Sequence, residues 1–507
     1  MCTDGTHVKI LEDITKWAND LSLASPRVVL LTGQAGSGKT TIAYTIAKRF
    51  EGDNTNQHTV LGGNFLCSRQ FEETQSQLRI LPTIAYQLAH KFKSYANALH
   101  VAHKFDAVDL DVTSQLKDLL VGPLQLSQAA CPELPPYLII IDALDEIDGG
   151  SAFLRDLLLA IDKYDLRGLK FLVTSRTDPK LNTLCESFTS KGVCRLQDVP
   201  IEVVSDIETH LKTELPELAS SSKLVKLQRS GTRKFIDAAM AVKYLTSRDS
   251  IPVGKQTEML DDFLPQYEPT SSSNATFSID ELYRQIMLDA FSNLNGEVLA
   301  CRLRALYTFL CAAEHVSAST VAALVSDGDD GDARAILRDL RALLYIHDDR
   351  VFWYHNSFRD FIFTKARSNF SIGNKNFTFS CNEAAHHSLL CESCFSIMKS
   401  EKSSLRFNTG NRTSSFLSDH DNTVELSELV NQNIGAVLRY SSCHWTHHLP
   451  LPQLINTGNL CRCISEFIQN HVLFWIEVMA LLGSHFHCTP MLQFAYQWVL
   501  KVWILRH

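Results

Sequence analysis

Residues 33–40 constrain the fold of this chain more than any other segment, because they carry the pattern Gly-x-x-x-x-Gly-Lys-Thr. The segment follows an apolar, strand-like run at residues 28–31 and opens a helical stretch at Thr41. Glycines let the backbone curl tightly and point its N–H groups at phosphate oxygens, and the start of the helix adds the positive end of its dipole. Lys39 offers a charge to the β- and γ-phosphates and Thr40 a hydroxyl to Mg²⁺. The sequence therefore predicts a nucleotide-binding loop formed by Gly33, Gln34, Ala35, Gly36, Ser37, Gly38, Lys39, Thr40 and Thr41.

An acidic segment further along the chain supplies the groups that a nucleotide-bound metal ion needs. Residues 137–141 are consecutive apolar residues, typical of a strand buried on both faces of a parallel sheet. Asp142 follows at the carboxyl end of that strand, where α/β sheets bind ligands, and we expect it to hold Mg²⁺ through water. Asp145 and Glu146 lie just beyond and are candidates to polarise the attacking water, with Asp145 favoured. A solvated acidic loop is the alternative interpretation, and the phosphate loop upstream weighs against it.

A third apolar run, residues 169–174, ends in Ser175-Arg176. An arginine at the carboxyl edge of a strand beside the other two segments can reach a γ-phosphate and report its presence, so Arg176 is a candidate catalytic residue. The alternative is a surface arginine that starts a loop. ATP is favoured over GTP, since no Asn-Lys-x-Asp motif follows the acidic strand.

These motifs resemble the NACHT branch of the STAND P-loop NTPases, because a small residue follows Asp142 and a further Asp-Glu pair comes next. They resemble in particular the NACHT proteins of mushroom-forming fungi that are nephrocystin-3-like at the N-terminus. The first 180 residues match specifically, and the remainder matches only in short pieces. Similar stretches are residues 2–6, 64–69, 81–88, 171–179, 354–361, 444–449 and 473–478.

The resemblance implies an ATP-binding switch in signal transduction. Such a protein hydrolyses ATP slowly with Mg²⁺, exchanges ADP for ATP and forms a homo-oligomer, in fungal innate immunity or self/non-self recognition. It also implies that His355, in the winged-helix motif, reaches the bound diphosphate and holds the closed state; a core or turn histidine is the alternative.

The chain departs from the family pattern in two places. The helical-domain segment of relatives reads Gly-Leu-Phe-Ile followed by an aromatic residue, whereas residues 231–237 read Gly-Thr-Arg-Lys-Phe-Ile-Asp. Relatives also carry an effector domain before the NACHT prelude and a repeat array after the helical region. We therefore expect that partners supply these functions or that the sequence is a fragment or a shortened gene model.

The order of apolar runs and breaks predicts an α/β P-loop NTPase, a parallel sheet flanked by helices, followed by helical and winged-helix domains and a C-terminal α-helical region. A hairpin is expected at residues 344–347 and 351–354, turning at residues 348–350, and a polar linker at residues 265–278. The predicted boundaries are 1–25 for a helical prelude, 26–200 for the nucleotide-binding domain, 201–265 for the helical domain, 279–375 for the winged helix and 376–507 for the last region.

Composition sets limits on partners and compartment. With 507 residues the chain is too long for one core, and a net charge of −8 gives no basic field for nucleic acid. The 14 cysteines lack regular spacing, so we interpret them as reduced thiols in a cytoplasmic protein. The apolar stretch at residues 491–505 is interrupted by polar residues and is shorter than the roughly 18–20 residues of a membrane span, which favours a buried or partner-seeking helix. The expected partners are the chain itself and unknown signalling proteins.

Other interpretations stay open. A nucleotide-bound scaffold without turnover would carry the same loop, and a P-loop kinase of a small molecule would leave the C-terminal half unexplained. Two groups of possible zinc ligands are better interpreted as packing or partner contacts, because neither has a second pair at a ligand spacing. They are His386, His387, Cys391 and Cys394, and then His444, His447 and His448.

Overall fold

The computed structural model describes most of the chain and divides it into two compact units, Met1–Leu282 and Tyr283–His507. The predicted polar linker at residues 265–278 and residues 231–234, where the chain departs from the family pattern, lie outside the described residues. The described residues are all except 52–57, 71–73, 103–104, 132–134, 165, 167, 200–203, 220–234, 247–278, 327, 401–404, 412–427, 429, 450–457 and 507.

The first unit is built on a five-stranded parallel sheet, as the sequence predicts. Its order is β2-β3-β4-β1-β5, so β1 lies between β4 and β5, and β4 separates β1 from β3. The carboxyl ends of all five strands therefore meet at one edge. The strands are β1 (Val28–Gly33), β2 (Val60–Leu66), β3 (Tyr137–Asp142), β4 (Leu169–Arg176) and β5 (Cys194–Asp198).

Helices cover both faces of this sheet, since β1 and β3 are buried along their whole length and β4 is buried up to Ser175. The helical prelude predicted at residues 1–25 contains α1, whose apolar residues Ile10, Leu11, Ile14 and Trp17 are buried. They pack in one cluster with α2 residues against one side of the sheet, and α3 to α8 contribute to the cluster on the other side. The helices are α1 (Val8–Asn19), α2 (Lys39–Glu51), α3 (Ile80–Lys91), α4 (Lys93–Ala102), α5 (Val112–Gln115), α6 (Gly122–Ala130), α7 (Gly150–Tyr164), α8 (Pro179–Thr189), α9 (Val204–Glu214) and α10 (Phe235–Thr246).

One pair of cysteines differs from the prediction of reduced thiols. Cys185 of α8 and Cys194 of β5 are both buried and are joined by a disulfide, with Cα atoms 5.8 Å apart. The prediction is therefore wrong for this pair, because α8 and the edge strand bring the two thiols together although their spacing in the sequence is unremarkable. This is the one disulfide among the residues that the structure describes.

The second unit is mostly helical and contains two short hairpins. The predicted hairpin is confirmed as β6 (Leu344–His347) and β7 (Arg350–Trp353), antiparallel, with Asp348 and Asp349 at φ 48° and 60° in the turn. A second hairpin, β8 (Asn369–Ile372) and β9 (Lys375–Thr378), was not expected. The helices are α11 (Ile279–Phe291, which contains the boundary between the units), α12 (Gly296–Cys311), α13 (Ala318–Val325), α14 (Gly331–Asp339), α15 (Asn356–Phe363), α16 (Lys365–Ser368), α17 (Glu383–Lys399), α18 (Ala436–His444), α19 (Gly458–Asn470), α20 (Val472–Leu481) and α21 (Cys488–Arg506).

The stretch at residues 491–505 lies inside α21. One stripe of this helix, which includes Met491, Ala495 and Trp498, is buried. Among the described helices, none has both the length and the apolar character needed to cross a membrane.

Candidate functional site

The loop between β1 and α2 has the backbone geometry that its glycines make possible. Gly36 and Gly38 have φ values of 80° and 87°, in the left-handed region that disfavours other residues. The Ser37 N–H donates to the Gln34 carbonyl at 3.2 Å, which closes the turn, and the Gly38 carbonyl accepts from Ile42 N at 2.8 Å as the helix begins. The loop thus wraps around the N-terminus of α2, where backbone N–H groups favour an anion.

The Lys39 ammonium lies against the loop itself. Its Nζ donates to the carbonyls of Gly33 and Gln34, each at 2.8 Å. Burial lowers the pKa of Lys39, and the carboxylates of Asp145 and Asp142 oppose that shift. An ammonium has three N–H donors. The two loop contacts therefore fix the position of the charge and leave donor capacity for a phosphate.

Asp142 and Thr40, the predicted metal ligands, come together at the edge of the sheet. Asp142 is buried at the end of β3, and its carboxylate is hydrogen-bonded to the side chains of Thr174 and Thr40. Thr174 Oγ1 donates to Asp142 Oδ1 at 2.5 Å and accepts from Ala143 N at 2.9 Å. Burial raises the pKa of Asp142 above 3.8, and the two hydrogen bonds and the Lys39 charge lower it in part.

Asp145, Glu146 and Arg176 form a second group at the same edge. Ala143 has a φ of 56°, which turns the chain sharply after Asp142 and brings the short helical turn Leu144–Glu146 back toward β4. Asp145 accepts from Arg176 N at 2.8 Å and pairs with Arg176 Nε at 3.2 Å. The Glu146 carboxylate is 3.7 Å from Arg176 Nη2. Arg176 keeps 44% of its side chain exposed, so it can still reach a ligand.

Two segments distant in sequence cover the loop. The Ile236 N–H at the start of α10 donates to the Gly36 carbonyl at 3.2 Å, and a Cβ placed on Gly36 would lie 2.2 Å from Ile236 Cγ2. A Cβ on Gly38 would lie 2.8 Å from His7 Nε2. The rings of His7 and Phe235 are 4.4 Å apart, so the two covering segments also contact each other. Ile236 thus contacts the loop and Phe235 contacts His7, although residues 231–237 differ from the pattern of the resembling proteins.

The residues present fit a nucleotide with Mg²⁺. Two buried polar atoms at the loop, Ser37 Oγ and His7 Nε2, have no hydrogen-bond partner among the described residues. A polar ligand seated on the loop would provide one. Hydroxyl and carboxylate oxygens, which Thr40 and Asp142 bring together, are the ligands that Mg²⁺ prefers.

His355, the remaining predicted site residue, lies in the second unit. Its Nδ1 accepts from Ser357 N at 3.1 Å and lies 2.6 Å from Ser357 Oγ, so the side chain caps α15. Tyr283 OH contacts the same serine hydroxyl at 2.7 Å. The contacts within this unit agree with a turn histidine, and the proposed reach to a diphosphate stays a prediction.

Three residues of the site were missed by the sequence analysis. Thr174 could have been noticed, since it ends the apolar run at residues 169–174, two residues before Arg176. A threonine at that place, however, is not part of a recognisable motif. His7 directly follows residues 2–6, one of the stretches that resemble the family, but the sequence did not indicate that it contacts the loop. Ile236 had no local signal for its contact with Gly36, because only the fold brings these residues together.

The fold and the site define the first unit as an α/β unit of the P-loop NTPase class. The class is defined by the parallel sheet, by the glycine loop between β1 and α2, and by the acidic group after β3.

Comparison with protein families gives a more specific result. Residues 5–176 match the model of the family described as "Nephrocystin 3, N-terminal", which is less than half of the chain. The match contains the loop and the acidic group and ends at Arg176. A comparison with curated proteins gives no match.

Solved structures are similar only distantly. The Caenorhabditis structure titled "Structure of C. elegans PCH-2" is 14% identical over 51% of this chain and 67% of its own, with a TM-score of 0.28. The "Structure of the Aeropyrum Pernix ORC2 protein (ADPNP-ADP complexes)" is 14% identical over 77% of this chain and 94% of its own, with a TM-score of 0.34. At these TM-scores neither likeness carries an argument about this chain.

Proposed function

We propose that the chain is an ATP-binding NTPase of the STAND/NACHT type that acts as a signal-transduction switch. It binds ATP with Mg²⁺, hydrolyses it slowly, exchanges ADP for ATP and self-associates in the cytoplasm, with signalling proteins as further partners. Fungal innate immunity or self/non-self recognition is the biological setting that the sequence resemblance suggests. The match of residues 5–176 to the nephrocystin 3 N-terminal family supports the nucleotide-binding part of this proposal.

One observation carries the proposal: the charged groups of three separate motifs converge at one edge of the sheet. Lys39 lies within electrostatic reach of Asp142, Asp145 and Glu146, and Arg176 pairs with Asp145. A nucleotide on the loop would place its phosphates among these groups, which have the charges that phosphoryl transfer requires. Such preorganised charges stabilise the transition state without reorganising during the reaction.

Each residue then has a defined task. The loop N–H groups and Lys39 bind the phosphates, while Thr40 and Asp142 hold Mg²⁺, which neutralises phosphate charge when bound. Asp145 or Glu146 orients and deprotonates the attacking water. Arg176 is held by Asp145 and senses the γ-phosphate.

The test separates binding from hydrolysis. Asp145→Asn and Glu146→Gln should leave ATP affinity close to that of the parent and slow phosphate release about 10²-fold where general-base help is lost. Asp162→Asn is the matched control, because this carboxylate on α7 pairs with Lys191 and lies outside the acidic group; it should hydrolyse ATP as the parent does. Parental hydrolysis rates in both acidic variants would show that neither residue is the base.

A nucleotide-bound scaffold without turnover is the second candidate. The contacts of Asp145 favour this candidate. Both oxygens of its carboxylate are paired with Arg176, so the residue that we prefer as the general base is already engaged. The nucleotide content of the purified chain and its phosphate release decide between the two. Bound ATP with no phosphate release over many hours would support the scaffold.

A further inference from the structure

The second unit brings together three histidines that the sequence places in two separate groups. His387 lies on α17, whereas His447 and His448 lie in the turn after α18. One ligand nitrogen from each ring lies within 4.8 Å of the other two. We propose that His387, His447 and His448 bind a divalent transition-metal ion, with zinc as the ion that three imidazoles favour.

The Nε2 nitrogens of His448 and His387 face away from the cluster, the first in a hydrogen bond and the second near a carboxylate. His448 Nε2 lies 2.7 Å from the Tyr440 hydroxyl, whose oxygen also accepts from Ala313 N at 3.1 Å. His387 Nε2 lies 4.0 Å from the carboxylate of Glu383, one turn earlier on α17. These partners leave Nδ1 of both rings directed at the cluster, and such outer contacts fix ring orientation in metal sites.

The distances suit a small rearrangement around a metal ion. His387 Nδ1 and His448 Nδ1 are 2.9 Å apart, so without metal one of them donates a hydrogen bond to the other. Ligand nitrogens about 2.0–2.1 Å from tetrahedral zinc are about 3.3 Å from each other. Zinc would therefore replace this hydrogen bond with two coordinate bonds after a separation of a few tenths of an ångström. The nitrogen of His447, which lies within 4.8 Å of the other two, would have to move closer by up to about 1.5 Å.

The environment keeps the imidazoles in the form that binds metal. Burial lowers the pKa of His387 to about 4 and that of His448 well below 6.5, and neighbouring histidines add to both shifts. The pKa of His447 is also lowered, by partial burial of its ring and by the neighbouring His444 and Arg359. Neutral rings at physiological pH need not lose a proton to expose a lone pair.

Access and charge are also compatible with an ion. His448 is fully buried, but His447 is exposed, so an ion can enter from solvent and keep a water molecule as its fourth ligand. Arg359 is the nearby cation, and its guanidinium is paired with Glu383 at 3.4 Å. The carboxylate thus offsets the charge that would otherwise oppose the metal.

The other possible zinc ligands named in the sequence analysis are not part of this three-histidine cluster. His386 Nε2 contacts Thr308 Oγ1 at 3.0 Å, and His444 pairs with Glu314 at 3.5 Å. Cys391 contacts the Trp445 carbonyl, and burial raises the pKa of its thiol. Residue spacing alone failed to indicate the site, because its ligands come from segments 60 residues apart that only the packing of α17 on α18 joins.

The test uses the full chain without an affinity tag, stripped with chelator, kept reduced and titrated with Zn²⁺ or Co²⁺ in excess Mg²⁺. The parent should bind one zinc ion, and Co²⁺ should give the visible bands of a tetrahedral nitrogen site. A near-ultraviolet thiolate band would instead identify binding to the cysteines and overturn the proposal. Zinc should also raise the melting temperature of the parent.

His447→Ala and His387→Gln should each lower zinc affinity at least tenfold and abolish the zinc-dependent rise in melting temperature. His447→Ala alters an exposed side chain, so its metal-free melting temperature should match that of the parent. His444→Ala, in the same segment but outside the cluster, is the matched control and should bind zinc as the parent does. Unchanged zinc affinity in both ligand variants, or no zinc binding by the parent, would overturn the proposal.

Discussion

Asp142 shows at the scale of one residue how a buried carboxyl can serve a metal site. Burial raises its pKa above 3.8, so at neutral pH the ionised side chain costs the folded state some free energy. A carboxyl with a raised pKa favours folding below its ordinary pKa, and that contribution is lost as the pH rises through the raised value. Hydrogen bonds from Thr174 and Thr40 limit this cost, since both stabilise the ionised form that a metal needs.

We therefore expect Mg²⁺-dependent ATP affinity to fall as the pH is lowered from neutral, at a pH above the ordinary carboxyl pKa of 3.8. Asp142→Asn should weaken Mg²⁺-dependent binding at neutral pH and remove this pH dependence. Thr174→Val should shift the loss to higher pH, because it deletes the hydrogen bond to the ionised form.

Calorimetric titration of ATP with Mg²⁺ at several pH values measures this effect. Because the phosphates of ATP also titrate, the informative quantity is the affinity of the parent relative to Asp142→Asn at each pH. A ratio that stays constant from neutral to acidic pH would contradict a role for Asp142 in holding the metal.

Some site residues were predictable from the sequence, because their chemistry is tied to a fixed spacing. Lys39 begins α2 at the end of the glycine loop and Asp142 ends β3, and the fold brings them to one edge of the sheet. Thr174 and His7 act through contacts that depend on the packed structure, and their types and positions have no distinctive spacing. The left-handed Ala143 was equally hidden, since alanine has no preference for that conformation.

At the scale of elements, the start of α10 packs on the glycine loop, and the local sequence could not have predicted this contact. Gly36 and Ile236 are 200 residues apart, and the space beside Gly36 is filled by the isoleucine side chain. The loop is thus held from outside as well as by its own turn. Any side chain at position 36 would collide with α10 and would also force a left-handed backbone.

Gly36→Ala should therefore destabilise the first unit more than a matched glycine substitution does. Gly192 has a similar φ of 71° but no atom within 4 Å of an added Cβ, so Gly192→Ala isolates the backbone strain, about 1–2 kcal/mol. The collision with Ile236 should add about 1–3 kcal/mol to the cost of Gly36→Ala. Thermal unfolding of both variants without nucleotide measures the difference, and equal melting temperatures would contradict the observed cover.

The two hairpins of the second unit show which elements sequence patterns can predict. The β6–β7 hairpin was predictable, because apolar strands flank a polar turn whose Asp348 and Asp349 adopt positive φ. The β8–β9 hairpin was not, since its strands are largely exposed and lack the apolar runs that mark β6 and β7. Its two strands are joined by the stacked rings of Phe370 and Phe377, whose centroids are 5.6 Å apart. A single cross-strand pair of this kind leaves no repeating pattern in the sequence.

At the scale of the whole molecule, the proposed switch requires the two units to respond to one nucleotide. The family match lies entirely in the first unit, and His355 lies in the second. The proposed contact between His355 and the bound diphosphate therefore depends on the sequence resemblance alone. Within its own unit, His355 has a simpler structural role, because its side chain caps α15. Substitution by asparagine can separate the two roles, because asparagine is one of the preferred residues at a helix N-cap.

His355→Asn should keep the cap of α15 and remove the proposed contact with the diphosphate. A hydrogen bond to a charged phosphate contributes about 1.5–3 kcal/mol, so ADP should dissociate about 10–150-fold faster and self-association with ATP should increase. Stopped-flow ADP release and light scattering on the same samples measure both. His355→Ala should behave similarly but lower the melting temperature, since it also removes the cap. Parental ADP release and mass distribution in His355→Asn would leave the histidine only as a helix cap.

The central claim, that the loop binds a nucleotide, is tested most directly by calorimetric titration of ATP and ADP into the parent and Lys39→Ala. The parent should bind both nucleotides, and the variant should lose at least about 1.5–3 kcal/mol of binding free energy, because a charge-assisted contact with phosphate is removed. Lys48→Ala, an exposed lysine on the same helix that pairs with Glu51, should bind as the parent does. Affinity unchanged in Lys39→Ala, or no binding by the parent, would contradict the account.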